Sequence, residues 1–282
     1  MPEHSDPIHN VQAVSTGTVD IHPQLAYGSR APTLWWILTS RRWLTGLPIN
    51  VYVIEHRDGL VLFDTGQDRA SVTDPDYFPG GLAGWLYGRL ARFDIEPDET
   101  LPAQLERLGY TTSDVRVAVL SHLHQDHIGG LPHLGKARIV TSVTEHAQLD
   151  SRSAETNGFL RRHIDLPGLN WDLINLEELD DPDIAPFTRG LDLMGDRSMI
   201  VLPTPGHTPG SISMLVRRPG QDPMLMVGDL TYDAVFMERG NLVRGGGQQL
   251  KDTTQRVLEL KRRHPGLRIL GAHDPAASAT LT

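Results

Sequence analysis

The 282-residue chain contains no cysteine. Disulfides, thiolate nucleophiles, iron–sulfur clusters and Cys-type zinc sites are excluded together, leaving histidine and carboxylate as the metal-binding chemistry. Basic residues are also in deficit: 26 Lys and Arg against 35 Asp and Glu give a formal net charge of −9. So acidic a chain lacks the basic stripe that drives phosphate-backbone binding, which argues against nucleic acid as a partner. No run approaches the ~18 uninterrupted apolar residues of a membrane span. The first residues, Met1-Pro2-Glu3-His4-Ser5-Asp6, are acidic where a secretory signal carries positive charge ahead of an apolar block. The expectation is a cytoplasmic protein with neither membrane nor nucleic acid as partner. What is present, 39% apolar and 22% charged residues, suits a globular fold and excludes wholesale disorder.

Val51-Tyr52-Val53-Ile54 and Leu60-Val61-Leu62-Phe63 are β-rich runs joined by His56-Arg57-Asp58-Gly59, a hairpin signature. Further strands are expected over residues 115–120, 137–141, 199–202, 212–216, 224–227 and 267–271. Helices are expected over 100–108, 142–149 and 249–263; in the first, Leu101, Leu105 and Leu108 share one face and Gly109 suits the end. Strands and helices alternate with no linker between the halves, so residues 1–282 read as one layered α/β domain. An irregular stretch around 67–98, rich in glycine and proline, reads as an insertion serving as a lid or a homodimer contact.

The chemistry concentrates at strand ends. His122, His124, Asp126 and His127 lie within six residues, directly after the apolar run 115–120. His122 and His124 fall on one side of an extended backbone, and a turn brings Asp126 and His127 back toward the same point. His207 (in Thr204-Pro205-Gly206-His207-Thr208-Pro209-Gly210), Asp229 and His273 each follow another expected strand. Singly, a His or Asp in such a place is more often a capping or solvated residue; together they repeat one arrangement. Five imidazoles and two carboxylates are too many for one tetrahedral ion and suit two if one carboxylate bridges. We assign His122, His124 and His207 to a first divalent cation, and Asp126, His127 and His273 to a second, with Asp229 spanning both. Zinc is the expected metal, and a bridging water between two cations would ionise near neutral pH. His4, His9, His22, His133, His146 and His163 have no comparable context; His56 and His264 read as surface or structural residues.

The His-x-His-x-Asp-His run, the later His207, Asp229 and His273, and the earlier Asp64-Thr65-Gly66 together resemble the metallo-β-lactamase superfamily, over roughly residues 50–274. The resemblance implies a four-layer αββα sandwich with the metals at one edge of its two sheets, and makes Asp64 a supporting residue beside them. Asp126 and the missing cysteine separate the chain from β-lactamases with a Cys ligand. Gly228-Asp229-Leu230-Thr231-Tyr232 places a tyrosine three residues after the bridging aspartate, as in the N-acyl-homoserine lactone hydrolases that quench quorum sensing. That likeness implies opening of the lactone ring by a metal-bridging hydroxide. Tyr232 would donate to the substrate oxygen and Asp126 would carry the proton. Trp35, Trp36, Phe78, Leu82, Trp85 and Leu86 are candidates for the apolar wall an acyl chain needs; core or dimer surface is the bland alternative. Other ester, thioester or methyl-parathion-hydrolase-like phosphotriester hydrolysis on the same two metals is a second reading. Oxygenase chemistry at a single iron, and non-catalytic binding of metal or ligand, are further ones.

Overall fold

Strand β2 (Leu44–His56) sends Val51 and Val53 to one face and Tyr52 and Ile54 to the other, as the period-2 geometry of a strand requires. All four side chains are buried, so both faces of the sheet must be covered. The computed structural model, which describes residues 6–241 and 247–281, shows how. His4 and the acidic N-terminal residues 1–5 lie outside the described residues.

One seven-stranded sheet runs β4-β1-β2-β3-β5-β6-β7, built from β1 (Ile8–Ile21), β2, β3 (Gly59–Phe63), β4 (Ala91–Asp94), β5 (Val115–Val119), β6 (Arg138–Ser142) and β7 (Asn170–Ile174). Strands β3, β5, β6 and β7 are mutually parallel. A six-stranded sheet runs β13-β12-β11-β10-β9-β8, with β8 (Glu177–Glu178), β9 (Arg189–Asp192), β10 (Met199–Pro203), β11 (Ile212–Val216), β12 (Met224–Gly228) and β13 (Arg268–Gly271). Tyr52, Ile54, Phe63 and Val119 of the first sheet meet Val201, Met214, Met226 and Leu270 of the second in a central core. Val51, Val53 and Leu62 instead pack under the helix Leu101–Arg107 and its neighbours. Ile200, Leu225 and Ile269 pack under the helix Gly247–Arg263 through Leu250, Val257 and Leu260. The result is the αββα sandwich. No helix among the described residues is long and apolar enough to cross a membrane.

Strands β7, β8 and β9 are not expected from the sequence, and two further stretches depart from the sequence reading. Strand β1, fourteen residues long and paired along β2 with three irregularities in register, has too broken an alternation to announce itself. The stretch 67–98 is more regular than its glycines and prolines suggest. It holds the helix Gly81–Leu90 and ends in β4, which pairs with β1 from Thr18↔Asp94 to Ile21↔Ala91. Gly84 is required there by crowding: a Cβ would stand 2.0 Å from the Pro79 carbonyl oxygen.

Topology fixes where the chemistry sits. The parallel β3 and β5 deliver Asp64 and the 121–127 loop to one sheet edge. In the second sheet β12 and β13 are parallel, and β10 runs with them because two antiparallel pairings separate it from β12. Their carboxyl ends therefore carry His207, Asp229 and His273 to one edge of that sheet. The Ile212 N–H bond to the Ser121 carbonyl (2.9 Å) and the Asn50 N–H bond to the Ala272 carbonyl (2.8 Å) join the two edges.

Candidate metal centre

All seven side chains meet at that edge. His122, His124 and His207 form one group with donor atoms within 4.8 Å of one another; Asp126, His127 and His273 form another, and His122, His127 and Asp229 a third that overlaps both. Asp229 faces both ways. Its Oδ1 lies 3.3 Å from His127 Nε2 and 3.4 Å from His273 Nε2, while Oδ2 lies 3.5 Å from His207 Nε2. Asp126 Oδ2 stands 3.4 Å from His273 Nε2.

Each ring's orientation is set by what its outer nitrogen touches. His127 Nδ1–H donates to Asp64 Oδ2 at 2.9 Å, and His273 Nδ1–H donates to the Pro48 carbonyl at 3.0 Å. His124 Nε2–H donates to the Asn157 carbonyl at 3.0 Å. Ser121 Oγ donates to Asp64 Oδ2 at 2.9 Å and therefore accepts from His122 Nδ1–H at 3.0 Å. In all four rings the second nitrogen is turned toward the centre, and in His122 and His124, whose outer nitrogens carry the proton, it offers a lone pair. His124 Nδ1 consequently stands 3.0 Å from both His122 Nε2 and His207 Nε2.

Whether a cation fits can be judged from these atoms. Lone pairs converging at 3.0 Å repel unless a positive charge lies among them. A tetrahedral zinc with bonds of about 2.0–2.1 Å spaces its ligands roughly 3.3 Å apart, close to the observed separations. Among the described residues, His127 Nε2, His273 Nε2 and Asp229 Oδ1 are buried with no hydrogen-bond partner, their mutual contacts being out of line for one. Orphaned buried polar atoms cost about 1–3 kcal/mol each, and coordination removes that cost. The donor set, imidazole and carboxylate without thiolate, suits zinc and its neighbours.

Protonation differs between the two groups. Burial, reinforced by His207, takes His124 down to about 4, and burial likewise lowers His122 and His207. These three offer neutral imidazoles at neutral pH. Burial opposes charge on His127 and His273 too, but Asp64, Asp229 and Asp126 outweigh it at His127, and Asp229 and Asp126 lift His273 to about 10. Burial acts to raise Asp126, yet His127 and His273 draw it to about 2. One half of the site is thus a neutral nitrogen cluster and the other an anionic pocket.

Asp64 has its backbone in the left-handed region (φ 61°), and Oδ1 accepts the Ser121 N–H at 2.7 Å. Gly228 leaves room for this pair: at φ 54°, a Cβ would stand 2.5 Å from Ser121 Oγ. Gly228→Ala is therefore expected to destabilise the fold by about 2 kcal/mol or more, from strain and overpacking combined, and to loosen zinc retention by displacing Ser121. Thermal unfolding and metal analysis measure both effects.

Tyr232 stacks on His273 at 5.1 Å and its hydroxyl donates to Asp229 Oδ2 at 2.6 Å. Burial, then Asp229, keep this phenol protonated. The expected apolar wall divides. Trp36 is buried edge-on against His22, so it supports the helix Thr33–Thr39 rather than lining an accessible surface. Phe78 is half-buried between Tyr87 and Phe93, and Leu86 is half-buried as well. Trp35, Leu82 and Trp85 are exposed. The helix Gly81–Leu90 is tied beside the site, because the Tyr87 hydroxyl donates to the Glu155 carbonyl, two residues before the Asn157 carbonyl that holds His124.

Two supporting residues had little signal in the sequence. Ser121 precedes the histidine run as an ordinary polar residue, and Glu145 sits in a Ser-x-x-Glu pattern that reads as local helix capping.

The fold and the paired donor groups define a metal-dependent hydrolase, and the chain belongs to the Metallo-beta-lactamase superfamily, whose family pattern matches residues 44–273. It is 30% identical to the N-acyl homoserine lactonase AttM of Azorhizobium caulinodans, over 82% of this chain and 83% of that protein. It is 32% identical to the probable metallo-hydrolase Rv2300c of Mycobacterium tuberculosis, over 80% and 74%. A crystal structure of a B. thuringiensis AiiA variant with N-decanoyl-L-homoserine bound at its active site shares the fold. Its TM-score is 0.73 at 22% identity, covering 98% of this chain and 97% of that one.

Proposed function

We propose that this protein opens the lactone ring of N-acyl homoserine lactones, using two divalent cations, zinc by the chemistry of their ligands. His122, His124 and His207 would hold one ion, Asp126, His127 and His273 the other, and Asp229 both. The observation that carries the reading is Asp229, whose two oxygens face the two imidazole groups from one buried carboxylate. The named activity of relatives that cover more than four-fifths of the chain supplies the substrate class.

When bound, such ions supply an ester carbonyl with polarisation and a solvent molecule with acidity near neutral pH. The protein's own groups do the rest. Asp64, Ser121, Pro48 and Asn157 hold the imidazoles in one tautomer each, so no reorganisation is needed when charge develops. Tyr232, protonated and now donating to Asp229, would turn its hydroxyl to the oxygen that becomes negative when the acyl carbon turns tetrahedral. As the ring C–O bond breaks, Asp126, 15% exposed at its side chain, passes the proton taken from solvent to the leaving alkoxide. Hydroxyl is gained at carbon and hydrogen at the ring oxygen, giving the open N-acyl homoserine. Of the candidate apolar wall, the exposed Trp35, Leu82 and Trp85 would be free to meet the acyl chain.

A pH-stat comparison of short- and long-chain acyl lactones, paraoxon-type triesters, thioesters and β-lactams tests the assignment. Acyl lactones are expected to give the highest kcat/KM, rising with chain length. A triester, thioester or β-lactam ahead of every lactone overturns it.

A further inference from the structure

The ligand-bearing loops 121–127 and 204–210 come from different sheets, so something must hold them at the spacing one cation needs. The strand-edge bond from Ile212 N–H to the Ser121 carbonyl ties their bases. Nearer the imidazoles the connection runs through one buried side chain. Glu145 Oε1 accepts the backbone N–H of Leu123 at 3.0 Å, between His122 and His124. Its Oε2 accepts the Thr208 hydroxyl at 2.7 Å and the Gly210 N–H at 3.1 Å, just beyond His207.

The local sequence would permit a different arrangement. Ser142-Val143-Thr144-Glu145 matches a capping box, in which the glutamate returns to its own helix start. Here Ser142 Oγ accepts the Glu145 N–H at 3.0 Å, as a cap should, and donates to the Gly210 carbonyl at 2.7 Å. The carboxylate instead leaves the helix and spans the two loops. Gly210 allows the approach, since a Cβ there would lie 2.1 Å from Glu145 N and 2.6 Å from Ser142 Oγ. The second Pro-Gly of the 204–210 motif is thereby explained by Glu145 rather than by His207.

We propose that Glu145 is the positioning residue of the first cation site: its carboxylate sets the distance between the loop carrying His122 and His124 and the loop carrying His207. This rests on reading those three histidines as ligands of one ion, and not on the identity of the substrate. A carboxylate is required because both of its oxygens face a backbone N–H. In Glu145→Gln the amide nitrogen must point at Leu123 N–H or at Gly210 N–H, so either orientation sets donor against donor. The three histidines are unchanged, but their spacing is not enforced.

The test follows zinc release from the metal-loaded protein to a chromophoric chelator, with the cobalt-substituted protein's visible spectrum as a second readout. Two equivalents are expected to leave the parent protein at high chelator. In Glu145→Gln one equivalent should leave at a chelator concentration roughly 10- to 100-fold lower, as for loss of other residues that orient metal ligands. The cobalt bands of that site alone should change. A residue that merely stabilises the fold would lower the unfolding midpoint yet leave the release profile and the spectrum as in the parent, and that result overturns the proposal. Should Glu145→Gln not fold, Thr208→Val removes one of the three donors and keeps both backbone bonds. It should weaken the same equivalent by less than about tenfold, and unchanged release in that variant is equally contrary. A parent protein that never holds two equivalents would instead refute the two-cation reading itself.

Discussion

Asp229→Ala should yield a protein that retains no more than about one zinc per chain and has lost at least roughly three orders of magnitude in kcat/KM, equivalent to about 4 kcal/mol of barrier. The size follows from position. Among the described residues Asp229 is the carboxylate whose oxygens reach both halves of the site, at 3.3 and 3.4 Å from His127 and His273 and at 3.5 Å from His207. It is buried, and its charge is the largest influence that raises His273, against burial, to about 10. Alanine removes a ligand from each half and leaves the two cations with less counter-charge. Metal analysis by mass spectrometry after exhaustive dialysis, paired with a lactone assay, measures both losses. Two tightly held zinc ions in the variant would show that Asp229 bridges nothing.

Tyr232→Phe should separate chemistry from metal binding. The phenol touches Asp229 Oδ2 and stacks on His273, but ligates nothing in either donor group. Zinc content should stay at the parent level while kcat falls by about 10²-fold, typical of losing one oxyanion donor. KM should move less, because the hydrogen bond strengthens as negative charge develops. Unchanged kcat with zinc retained removes Tyr232 from the reaction. Loss of zinc would mean that its bond to Asp229 is chiefly structural.

How much of this was legible in advance depends on whether a residue signals through its neighbours in sequence or only in space. The strands 115–119, 199–203 and 212–216 are near-continuous apolar runs ending in turns, so their approximate bounds and the residues beyond them could be read directly. The His122–His127 run is a local pattern with a chemical meaning. Strand β1 carried no such pattern, because irregular pairing between Ser15 and Thr18 breaks its alternation. Strand β4 was hidden because its pairing partner is β1, seventy or more residues earlier. Trp36 shows the converse failure: composition marks it as an apolar contact, and only its packing under His22 reveals it as core. Glu145 and Ser121 are ordinary in sequence because their work is done across loops 22 to 63 residues away, at Leu123, Thr208 and Asp64.

The two-cation arrangement is tested most directly by anomalous diffraction from crystals grown with zinc, recorded above and below the zinc absorption edge. Two peaks are expected, one among His122, His124 and His207 and one among Asp126, His127 and His273, with the Asp229 carboxylate between them. A single peak, or a second one away from Asp229, would contradict the account.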